Sequence, residues 1–358
     1  MAFFIFLGCI SNAPSDQEKI KIGVIIPLTG DAAMWGKNAK NGIELAYDNL
    51  DSETKNKIQL IFEDDQCNGQ AGVTAANKLI TIDKAKFIVG TVCSSVTLSI
   101  APITESNKAL LFSSCSSNPK ITNAGDFVFR NFVSDIYEGS VIAEHAKSSF
   151  SLNKIAVIYL NNDYCTGLKD VFKKKFESLG GTIITIESFE QNSKDFRTQL
   201  SKIKAADPDG IYVDSNPEEQ PIILNQIKEL GIEKIILANS ASTEGNDALF
   251  TVSKGASEGV MFVSLAWKDP DWFVEQYKNK YAETPGICSD TTYDALNLVV
   301  DAIKQCGKDT ACVKDKLYEV KDYNGVAGIT TFDQYGDIAE KPYVLKTIKN
   351  GKFVEYKK

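Results

Sequence analysis

Histidine is almost absent from this chain: His145 is the only one in 358 residues. A site built on several histidine ligands is thereby excluded, and a histidine-based triad has one possible base. The eight cysteines include no C-x-x-C pair, so structural zinc and thioredoxin-like chemistry have no framework. Neither G-x-x-x-x-G-K-[ST] nor G-x-G-x-x-G occurs, and nucleotide binding is unsupported. No run approaches the 18 or more apolar residues that a membrane span needs. Positive charge is in deficit, 39 Lys and Arg against 47 Asp and Glu, which argues against a nucleic-acid partner. No metal and no cofactor are expected.

What is present is ordinary globular composition, 43% hydrophobic and 24% charged, long enough for about two domains with cores of their own. Dispersed cysteines in such a chain suit an oxidising compartment. At the N-terminus the apolar residues 2–7 end in Gly8-Cys9. A small residue before cysteine after an apolar run resembles a lipobox, in which Cys9 carries the lipid and residues 10–19 form a polar tether. The alternative is a frayed apolar end. From Lys19 onward β-branched runs alternate with helical patterns, in two series: KIKIGVIIP, KIQLIFE, AKFIVG and ALLFSS, then KIAVIYL, TIITIESF, GIYVD, KIILA and GVMFV. Such alternation predicts an α/β fold, two lobes each with a parallel sheet covered on both faces.

Ligands of open α/β sheets sit beyond the carboxyl ends of the strands. Two loops there are rich in small hydroxyl residues, Thr91 to Thr97 and Ser113 to Pro119. At a helix start, serine hydroxyls and unpaired N–H groups suit a carboxylate, although simple capping by Ser94 or Ser95 gives the same pattern. Cys67 and Cys93 end the second and third strands, and a bridge between neighbouring strands there is worth about 3 kcal/mol in the loop-entropy model. Cys306 and Cys312 flank a turn, which suits a local bridge. Cys115, Cys165 and Cys288 form an odd remainder. Asp135 and Glu138 have the spacing of a helix-start cap. Gly255 to Gly259 matches G-x-S-x-G, but a strand follows it rather than a helix, the reverse of a nucleophile elbow.

Taken together these segments resemble the extracytoplasmic solute-binding proteins of branched-chain amino acid ABC transporters. The resemblance runs in order along nearly the whole chain. It is carried by IGVIIPLTGDAAMWGKNAKNGIELA (22–46), FEDDQCNGQAGVTAANKLI (62–80), IVGTVCSSVTLSIAPI (88–103), FVFRNFVSD (127–135), VIYLNNDYCTGL (157–168) and TTYDALNL (291–298). It implies a type I periplasmic-binding fold: two doubly wound parallel-sheet lobes joined by a multi-strand hinge, residues 20–134 plus 264–342 and residues 135–263 plus 343–358. The implied function is capture of an amino acid, branched-chain or otherwise apolar, for ABC permease subunits, by a monomer held to the membrane only through a lipid anchor. A sensor module that signals to a separate membrane partner is the alternative; catalysis is not expected.

Residue by residue, the resemblance implies Ser94 as the carboxylate contact, the Cys115 carbonyl toward the ammonium, and Ser117 beside it. Trp35 then covers the side chain, Tyr164 closes from the second lobe, and Cys67–Cys93 is a bridge position. Cys115 and Cys165 are expected to line the cleft. Where relatives have an acid for the ligand ammonium this chain has Ser240, with Glu244 or Asp290 as displaced substitutes.

Overall fold

The computed structural model of the protein describes residues 19–339 and 341–357, so the expected anchor Cys9 lies outside the described residues. The first sheet comprises β1 (Ile20–Ile26), β2 (Ile58–Asp64), β3 (Phe87–Gly90), β4 (Leu110–Ser113) and β5 (Val128–Arg130), in the order β2-β1-β3-β4-β5 and parallel throughout. The second adds β6 (Lys154–Leu160), β7 (Thr182–Phe189), β8 (Gly210–Asp214), β9 (Ile235–Ala238) and β10 (Met261–Leu265). A small hairpin, β11 (Tyr323–Gly325) and β12 (Gly328–Thr330), precedes β13 (Tyr343–Lys349) and β14 (Lys352–Glu355). The second sheet has the order β14-β13-β10-β9-β8-β6-β7.

Parallel strands covered on both faces must be apolar almost throughout, and β3, β4 and β8 are buried at every position. The expected α/β class holds, with one difference. β13 and β14 run antiparallel at the edge of the second sheet, because a tight turn at Asn350-Gly351 joins them.

Three chain segments pass between the two halves. β5 leads through residues 131–134 into the helix Asp135–Ser148, which packs with the second sheet. After β10 the chain returns to lay the helices Asp271–Tyr281 and Ser289–Cys306 against the helix Ala33–Asn49 of the first half. Residues 331–342 then lead back to β13. The two long helices approach closely at Gly42, where a Cβ atom would lie 2.1 Å from the Ser289 carbonyl oxygen. Only glycine fits that crossing. Buried Arg130 pairs with Asp337 and donates to the Asn118 carbonyl at 2.9 Å, fastening the third crossing segment and the hydroxyl-rich loop to the end of β5.

Candidate functional site

The carboxyl ends of both sheets face one another across a small cavity of about 20 Å³, room for little more than a water molecule. Its walls include Trp35, Ser94, Cys115, Ser117, Glu138, Tyr164 and Asn216. The halves are in contact around it. The Trp35 indole donates to the Ala241 carbonyl at 2.7 Å and sets its ring edge-on to Tyr164, centroids 6.0 Å apart. The Asp163 amide donates to the Ser95 hydroxyl at 3.2 Å, and the Asn118 amide group donates to the Asp163 carbonyl.

Ser94 opens the helix Ser94–Ser106, whose N-cap is Cys93, with no side chain capping it. The capping alternative for Ser94 and Ser95 is therefore not realised. Buried Ser94 accepts from the Asn118 amide at 3.2 Å, which leaves its own proton available. A helix N-terminus with free N–H groups carries a partial positive charge and suits an anion. Ser117 is buried beside it, its carbonyl accepting from the Asp135 amide at 2.8 Å.

The structure corrects two cysteine assignments and pairs two left open. Cys67 and Cys93 are bridged, Cα atoms 5.4 Å apart, but β1 lies between their strands. The connection is made by the loops beyond the strand ends, not by neighbouring strands. Of the odd remainder, Cys115 lines the cavity as expected and is bridged to Cys288, 173 residues on, which lines it too. Cys288 thereby gains a role. Cys165 is free and fully buried, and it is not among the cavity-lining residues. One position after Tyr164 on a helix, it points about 100° away and places its thiol against Asp214, where burial raises its pKa well above the usual thiol range. Cys306–Cys312 is bridged as the turn suggests.

The expected acid positions also change. Glu244 is engaged by Ser264 and Lys346, and both Glu244 and Asp290 line a larger adjoining cavity of about 420 Å³. Ser240 likewise faces that second cavity, and it serves a residue that capping logic concealed. Its amide and hydroxyl donate to the two oxygens of Glu138, at 2.8 and 2.7 Å. The helix Asp135–Ser148 has Ser134 at its N-cap, and no side chain caps it. Asp135 and Glu138 are thus buried beside the cavity instead. Burial pushes Glu138 up to about 7 against the pull of the Ser240 donors, and it raises Asp135 well above the carboxylate range with Glu138 as the next cause. At the end of β8, burial holds Asp214 at about 8, although it accepts from the Asn239 amide group at 2.7 Å. Asn216, also missed, is buried with neither side-chain atom hydrogen-bonded within the described residues. The Tyr164 hydroxyl is equally unpartnered. The signal for Asn216 was its place in a strand-end loop.

Comparison with known proteins agrees with this architecture. A leucine-binding protein, LivK, of Thermotoga maritima is 30% identical, with a TM-score of 0.86 over 94% of this chain and 98% of that one. LivJ of Streptococcus pneumoniae, solved with isoleucine, is 25% identical, with a TM-score of 0.83 over 94% and 98%. Leu/Ile/Val-binding protein homolog 3 of Brucella melitensis is 27% identical over 99% of this chain and 97% of its own. The family model described as periplasmic binding protein matches residues 19–352, and the chain belongs to that family.

Proposed function

We propose that the protein is the extracytoplasmic solute-binding component of an ABC uptake transporter. It captures an amino acid, branched-chain or otherwise apolar, between two lobes, residues 20–134 plus 264–342 and residues 135–263 plus 343–358. One observation carries the reading: an uncapped helix N-terminus and an aromatic pair meet in a cavity closed by hydrogen bonds between the halves. The leucine and isoleucine binders among its relatives supply the ligand class. The lobes part to admit the ligand, and Trp35 and Tyr164 reclose over its side chain. Ser94 and the helix N-terminus take the carboxylate; the permease recognises the closed shape. The protein acts as a monomer outside the cytoplasm, tethered by lipid on Cys9.

Denaturing the purified protein and identifying the released small molecule by mass spectrometry tests the reading, followed by thermal-shift screening of amino acids. A ligand at about 100 times its Kd adds about 2.7 kcal/mol to stability, a shift that such a screen detects. Ser94→Ala removes a charge-assisted bond and weakens binding about 10- to 100-fold. If no amino acid raised the melting temperature, the ligand class would be wrong; unchanged affinity in Ser94→Ala would dismiss the assigned carboxylate contact.

A further inference from the structure

We propose that Glu138 is the counter-ion for the ligand's ammonium group and the residue that selects an amino acid over a plain carboxylic acid. The inference rests on the binding reading above and deepens it. Among the described residues this cavity is lined by no Lys, Arg or His and by no carboxyl side chain other than Glu138, which also borders the adjoining cavity whose wall carries Lys268, Lys341 and Lys346. That carboxyl is 4% exposed, and its two oxygens are oriented by the Ser240 amide and hydroxyl. Among the described residues no ion pair engages it, although Lys346 pairs with nearby Glu244. A buried carboxylate held by donors yet without a cation is costly, and a ligand cation relieves that cost.

The surroundings point the same way. The groups facing Glu138 are Asp135 on its own helix, Glu244 beyond Ser240, and Tyr164, Tyr212 and Asp214 from the second sheet and its helices. None of them supplies a cation: burial keeps the two tyrosines, Asp135 and Asp214 largely protonated near pH 7, and Glu244 is itself engaged by Lys346. The Tyr164 hydroxyl and both polar atoms of Asn216, in the same wall, have no partner among the described residues. Across the cavity lies the uncapped N-terminus of Ser94–Ser106. A positive pole opposite a negative one matches a zwitterion, with carboxylate toward Ser94 and ammonium toward Glu138. An acid without the amino group satisfies the first pole only and leaves Glu138 either buried and unpaired or protonated.

The test is isothermal titration calorimetry of the full chain with L-leucine and with 4-methylpentanoate, the same skeleton without the amino group. Wild type is expected to prefer leucine by about 100-fold or more, the range of a lost charged hydrogen bond plus a stranded charge. Glu138→Gln keeps an oxygen for Ser240; it should lose about 10- to 100-fold in leucine affinity and leave 4-methylpentanoate unchanged or improved. Relative to Glu138→Gln, leucine affinity of wild type should fall as pH drops from 8 to 6, because only wild type loses an ionised Glu138 there. Ser240→Ala, which removes a donor that stabilises the carboxylate, should move the midpoint upward in pH, an effect that a purely structural role does not produce. Equal leucine affinity in wild type and Glu138→Gln, or an unaltered pH slope, overturns the assignment. Wild type binding 4-methylpentanoate as tightly as leucine overturns it and leaves carboxylate capture standing; wild type binding neither overturns both.

Discussion

Trp35 shows how one residue serves both packing and closure. Its ring is 4% exposed, packed edge-on to Tyr164, and its Nε1–H reaches across to the Ala241 carbonyl at 2.7 Å. Trp35→Phe keeps an aromatic wall but deletes the only donor on the ring. The loss is about 1 kcal/mol, a typical net hydrogen bond, borne by the closed form alone because the bond exists only when the halves meet. Leucine should therefore dissociate about fivefold faster, with its association rate nearly unchanged. Stopped-flow fluorescence of the Tyr and remaining Trp residues measures both rates, and an unchanged dissociation rate would show that this bond does not hold the lobes. Trp35 and Tyr164 were recognisable from the resemblance; Glu138 was not. Its spacing from Asp135 imitates a helix-start cap, and nothing local indicates that Ser240, 102 residues away, supplies its donors.

At the level of elements, alternation of β-branched runs with helical patterns revealed nearly every strand of both sheets, because strands buried on two faces admit few polar residues. β5 escaped notice for want of length, at three residues. β13 mixes half-buried and buried positions with one exposed, and β14, the edge strand, is half-buried between exposed ends; neither carries the uniformly buried signature of a parallel core strand. The Cys115–Cys288 bridge was illegible for another reason. It joins the loop after β4 to the start of the helix Ser289–Cys306, two elements brought together by tertiary packing alone. That bridge closes a long loop, and removing it should cost ~2–5 kcal/mol. Cys115→Ala with Cys288→Ala should thus lower the unliganded melting temperature by about 3–7 °C, as calorimetry would record. It should also weaken leucine binding, since both half-cystines line the cavity. A melting temperature equal to that of wild type would refute the stabilising role.

At the scale of the whole molecule, two buried carboxyl groups from opposite halves meet at another part of the closed interface and are expected to act as a proton-linked latch. Asp31, ahead of the helix Ala33–Asn49, and Glu219, at the start of Gln220–Glu229, belong to opposite halves and are both buried. The Asn192 amide donates to each, at 3.1 Å to Asp31 and 3.4 Å to Glu219, which places the two carboxyl groups side by side. Burial first, then the hydrogen bond and charge of Asp31, push Glu219 up to about 8. When the lobes part, Glu219 regains water and returns toward the ordinary glutamate value near 4.5. The closed form therefore binds a proton that the open form releases. By linkage its contribution to closure is complete below the open-state value, declines as pH rises above it, and is gone above about 8. Within that window each pH unit shifts the open–closed ratio by at most about tenfold. Donor–acceptor fluorescence between labels on the two halves, without ligand, should report progressive opening from pH 6 to pH 9. Glu219→Gln, neutral at every pH and still able to donate to Asp31, should stay closed across that range. If its opening curve matched wild type, the latch would be refuted. The two titrations act oppositely on ligand affinity: ionisation of Glu138 near pH 7 strengthens it, and ionisation of Glu219 near pH 8 weakens it by parting the lobes. Their windows overlap, so the Glu138 contribution is read as the difference in pH slope between wild type and Glu138→Gln, and the Glu219 contribution as the difference between wild type and Glu219→Gln.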